Sequence, residues 1–150
     1  MDQSAMLDQL RRHQGSALEV LSRGVRCLEG GKAELLASSD ELRQQMGEAL
    51  GAYQVFKHEM IFDPAIASAD PERVALARRM KVACIRAGEV FRAHMGRWSA
   101  EQINTDWENY RPAARLTVKQ LRRHISSEGE GIQVLISRYG VPSTAGGKDY

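Results

Sequence analysis

The sequence predicts an all-α protein, folded as a single up-down-up-down four-helix bundle. Three observations carry that expectation. Apolar residues recur at alternating three- and four-residue intervals along most of the chain, which is the spacing of one helix face. No stretch shows the two-residue alternation of a half-buried strand. The prolines, Pro64, Pro71, Pro112 and Pro142, fall between the periodic stretches. At 150 residues, 43% of them hydrophobic, the chain can bury one core but is too short for two ordinary domains. The bundle is expected over residues 1–140, with a small, polar and flexible tail over 141–150.

The first helix is expected over residues 4–29. Met6, Leu10, His13, Ala17, Val20, Gly24 and Cys27 form its inward seam, and Gly30-Gly31 stops it. The second is expected over 39–61. Ser38 and Glu41 have capping-box spacing at its start, and the residue before Pro64 disfavours helix at its end. The third, over 71–97, opens on Asp70-Pro71, an N-cap followed by proline in the first turn. Ser99 and Gln102 then have capping-box spacing for a short helical piece. The fourth is expected over 112–139, ended by Gly140, Val141 and Pro142. Gly24, Gly47, Gly51 and Gly88 lie inside helices, where each costs up to about 1 kcal/mol relative to alanine. Close helix approach is the preferred explanation for them, and a channel to the core is the alternative.

Charge excludes more than it suggests. Lys plus Arg number 21 and Asp plus Glu 19, a net charge of +2, so the strong basic excess of a nucleic-acid binder is missing. No run of apolar residues approaches the length of a membrane span. The first residues lack the apolar stretch and cleavage site of a signal peptide, so a cytoplasmic location is expected. Cys27 and Cys84 form no Cys-x-x-Cys motif and no disulfide framework. No Ser/His/Asp order, glycine-rich phosphate loop or His-Glu-x-x-His motif appears, so turnover without a metal is not expected.

The seams carry polar residues where a bundle should be apolar. His13, His94, His124 and Glu128 all occupy seam positions, and His58 lies near the end of the second helix. His124 and Glu128 are one turn apart on one face, a common way for a helix to offer two ligands to one metal. Buried without partners they would cost a few kcal/mol. Helix rise places His13 at about 13 Å, His58 at about 5 Å, Glu128 at about 16 Å and His124 at about 22 Å above the bundle base. These four therefore belong to one half. His94, at about 34 Å, belongs to the other, near Cys27. The same heights separate Cys27 from Cys84, so no disulfide is expected between them.

The order of these residues resembles the hemerythrin-like (HHE cation-binding) family. The segments that carry the resemblance are LRRHQGSALEVLSRG, AYQVFKHEMIFDPAI and LTVKQLRRHISSEGEGI, together with a short TDW segment before the last helix. The resemblance covers about Met6 to Ile136. It implies a bundle holding non-haem iron between histidines and carboxylates, used for oxygen binding, sensing or iron handling. By position His13, His58, His124 and Glu128 match the motif as metal ligands. The chain also departs from it. Four residues after His58, where the family places Glu, stands Phe62, and the nearest acids are Glu59 and Asp63. The third helix offers Cys84 or Lys81 where the family places histidine. The resemblance thus implies a reduced His/carboxylate site. It would hold one or two iron ions or another divalent transition metal, with Glu59, Asp63 and Cys84 as weaker ligands. The expected role is sensing or binding. The alternative is a metal-free bundle acting as a regulatory or protein-interaction module, with an unidentified protein partner and an oligomeric state left open.

Overall fold

A computed structural model describes residues 1–141. Among them the chain is all-helical, with no strand. Of the flexible tail expected at 141–150, Val141 is a bend packed against the core, and residues 142–150, with Pro142, lie outside the described residues.

Helix α1 spans Gln3–Glu29, and the Asp2 carboxylate caps it by accepting the Ala5 N–H at 2.7 Å. Helix α2 spans Lys32–Lys57 and so begins seven residues before the expected start. Gly31, at φ +102°, turns the chain directly from one helix into the next. Lys32 to Ala37 are strong helix formers, and the earlier start buries Leu35 beside Leu28, Trp98 and Ile103. Ser38 and Glu41 therefore lie mid-helix, where their spacing caps nothing.

The expected stop before Pro64 is also overturned. A π-helical turn, His58–Phe62, follows α2, and the Asp63 N–H donates to the His58 carbonyl five residues back. Asp63 itself is helical at φ −64° and ψ −44°, and α3, Asp63–Ile66, continues the rod. The widened turn admits a proline whose missing N–H and ring would disrupt regular α-helix. Burial of Ile61, Phe62 and Ala65, all at 0% exposure, favours the continuation.

Helix α4, Pro71–Arg97, opens as expected, with Asp70 accepting the Glu72 and Arg73 N–H groups. Helix α5, Ala100–Thr105, carries the expected Ser99/Gln102 capping box. Helix α6, Trp107–Tyr139, starts five residues before Pro112, which lies inside it. Tyr110 packs edge-on against Trp98 and Trp107 packs against Tyr110, and these aromatic contacts hold the early start in helix.

Cross-helix pairs set the register. Gln14 meets Tyr53 and Arg23 meets Gln45, so α1 and α2 run antiparallel. Lys57 meets Cys84 while Arg43 donates to the Met95 and Trp98 carbonyls, so α2 and α4 do too. The larger core, with Met6, Leu10, Tyr53, Phe62, Ile132 and Leu135, lies at the π-turn end. A smaller one, with Leu28, Leu35, Trp98 and Ile103, lies at the other. No described helix is long and apolar enough to cross a membrane.

The helix glycines divide. At Gly24 an added Cβ would meet the Met46 side chain at 2.6 Å, which is the close approach expected. Gly47 and Gly51 have nothing within 4 Å of such a Cβ, so close packing does not explain them. Gly47→Ala and Gly51→Ala are each expected to raise stability by up to about 1 kcal/mol, read by urea unfolding. A loss of stability in either would mean that the space is filled in solution.

Candidate metal centre

Helical segments α2, the π turn, α4 and α6 converge within the larger core, of which Tyr53 and Cys84 are members. Lys57, at the end of α2, is buried and donates from Nζ to Glu128 Oε1 at 2.6 Å and to Cys84 Sγ at 3.2 Å. Its ammonium also lies 3.8 Å from the Tyr53 ring centroid. His58, opening the π turn, brings Nε2 to 3.3 Å from Cys84 Sγ. On α6 the four-residue spacing sets His124 Nε2 3.3 Å from Glu128 Oε2. Their approach is too oblique for a hydrogen bond, and both atoms are buried without a hydrogen-bond partner. Cys84, His124 and Glu128 each offer one ligand atom, and these atoms all lie within 4.8 Å of one another.

Electrostatics follow from this packing. Burial would push the Glu128 carboxyl up, but His124 and the Lys57 ammonium outweigh it and hold the pKa below its ordinary value. The Cys84 sulfur, then the Glu128 carboxylate, hold the His124 imidazole up at about 9. Burial pushes the Tyr53 phenol up, helped by the Glu128 charge. Burial lowers His13, His58 and His94, aided by Arg12, by Lys81 and Lys57, and by Arg43 respectively.

These shifts predict how stability varies with pH. A lowered histidine binds its proton more readily when unfolded, so His13, His58 and His94 lose stability as pH falls below 6.5. The raised His124 contributes fully below 6.5 and loses that contribution as pH rises toward 9. Stability is therefore expected to peak near pH 6.5 and fall on both sides. Urea unfolding at pH 5.5, 6.5 and 8.5 checks this, and a monotonic trend would contradict it.

The sequence-expected residues separate. His124 and Glu128 meet, and Cys84 joins them. His58 reaches the group only through Cys84. His13 instead stacks on Phe56, with ring centroids 4.7 Å apart, and stands outside the cluster. Glu59 is exposed, and Asp63 pairs with Lys81 at 2.6 Å on the surface. His94 stacks on Tyr110 beside the smaller core, as the helix heights anticipate. Cys27 and Cys84 are both free. Sequence reasoning missed Lys57. A lysine rarely sits fully buried unless paired, so nothing in its spacing marked it, although its place one turn beyond Tyr53 on the seam was readable.

A two-iron centre does not fit these residues. It needs carboxylates bridging both ions, and the cluster has one carboxylate. One oxygen of that carboxylate is already held by Lys57. A single ion fits: the free oxygen of Glu128, the free nitrogen of His124 and the Cys84 sulfur face common space. Comparison with protein-family models, with curated proteins and with solved structures finds no match for this chain.

Proposed function

We propose that this chain is a hemerythrin-like, up-down-up-down four-helix bundle that binds one divalent transition metal ion at Cys84, His124 and Glu128. One observation carries the reading. Two buried polar atoms, His124 Nε2 and Glu128 Oε2, form an oblique ion-pair contact at 3.3 Å in which neither atom has a hydrogen bond, beside a free thiol. Such orphaned groups are costly, and a shared cation satisfies both. Lys57 then serves as an outer donor on two of the ligands, orienting Glu128 through its other oxygen. Thiolate, imidazole and carboxylate together suit zinc or iron and do not select between them. Three protein ligands leave a position open for a small molecule, which accords with binding or sensing.

A second reading is favoured by the Lys57 ammonium itself. It already places a positive charge 2.6 Å from Glu128, so the bundle could be metal-free and act through its surface. Elemental analysis of protein purified from metal-supplemented cells, repeated after anaerobic reconstitution, separates the two. About one ion per chain is expected. No ion under either condition would favour the metal-free bundle. Two irons with oxo-bridge absorption bands would overturn the single-ion site.

A further inference from the structure

An apolar cleft of about 250 Å³ runs between α2 and α4. That is below the roughly 300–1,000 Å³ of sites for drug-sized ligands, so its occupant is small. Lys57, Cys84 and His124 stand at one end, and Gly47, Phe91 and Arg92 stand toward the other. The two helices are antiparallel, so the cleft follows their axes. From Gly47 to Lys57 it extends about 15 Å. Its occupant is therefore also elongated.

The lining is chemically one-sided. Leu50, Leu121 and Ile125 supply apolar wall, with Gln54 and Tyr53 as the polar side chains between the ends. Gly47 and Gly51 leave open space where side chains would stand, and so keep the cleft clear. No carboxylate lines it, and its cationic groups are Lys57 and the raised His124, which stands beside Glu128, at one end and Arg92 at the other. The Lys57 ammonium is already engaged by Glu128, Cys84 and the Tyr53 ring. Arg92 is exposed and takes part in none of the ion pairs found among the described residues. Its guanidinium folds back over Gly88, where an added Cβ would meet Nη1 at 3.1 Å. A planar fork of donors without an acid partner is matched by a carboxylate.

We propose that this cleft binds a single-chain carboxylate, its apolar chain laid along Leu50, Leu121 and Ile125 and its head on Arg92. The binding does not depend on an ion at Cys84, so it can stand or fall apart from the metal reading. Calorimetric titration of the full chain with octanoate, octylamine and 1-octanol tests it, on chelator-treated and metal-loaded protein. Octanoate is expected to bind at least about tenfold more tightly than octylamine in both states. Arg92→Gln is expected to remove that preference and leave 1-octanol binding unchanged. Gly51→Leu, which fills the open space, is expected to abolish binding of all three while helical circular dichroism persists. Gly47→Leu replaces it if that variant does not fold. Absence of octanoate binding to the wild type would overturn the proposal. So would equal binding of octanoate and octylamine, or a preference that survives Arg92→Gln. Octanoate binding that persists in a folded, filled variant would overturn it as well. Octanoate binding confined to metal-loaded protein would also overturn it, because the head would then be on the ion.

Discussion

Lys57→Met is expected to destabilise the protein by about 3–5 kcal/mol. The Lys57 and Glu128 side chains are 4% and 2% exposed and meet at 2.6 Å. Methionine can fill the aliphatic path of the lysine, so the loss is chiefly electrostatic. It leaves the Glu128 carboxylate buried beside an obliquely placed imidazole, without its hydrogen-bonded cation. The double variant Lys57→Met/Glu128→Met removes both charges and is expected to recover most of that loss. Urea unfolding of the wild type, both single variants and the double variant gives the coupling directly. A near-neutral Lys57→Met would mean that the ammonium is not buried against Glu128 in solution.

His124→Ala is expected to lower metal affinity by more than about 100-fold, the upper range for loss of an outer-shell partner, because here a ligand itself is removed. Competition with a chromogenic chelator measures it. In chelator-treated protein the same substitution is expected to cost less than Lys57→Met, because Glu128 Oε1 keeps its bond from Lys57. Equal metal uptake by wild type and variant would remove His124 from the ligand set.

Much of this architecture is legible in the residues. Asp70-Pro71 opens α4 and Ser99/Gln102 caps α5, because those signals act within one turn. The boundaries misread are those decided by distant contacts. Lys32 to Ala37 join α2 because Leu35 packs on Trp98 and Ile103, far along the chain. The rod passes Pro64 because a π turn intervenes, and nothing in HEMIF marks that widening in advance. The site behaves likewise. His124 and Glu128 share one turn, so their pairing follows from spacing. Helix heights place His13 in the correct half, but not its rotation, and it turns onto Phe56 instead. Lys57 is silent in sequence because lysine is ordinarily solvent-facing, and only the assembled helices bury it.

The glycine hinge at Gly31 has a consequence for the order of assembly. It joins α1 to α2 so tightly that their pairing is local in the chain, and local contacts form early because little loop entropy opposes them. The Lys57–Glu128 bond spans 71 residues and Arg122–Ser22 spans 100. The hairpin is thus expected to form ahead of α6 docking, and the cluster is complete only when the last helix arrives. A metal or ligand at that cluster would recognise the finished fold alone. Its uptake in a refolding experiment would time the final step of folding, behind the hairpin's amide protection.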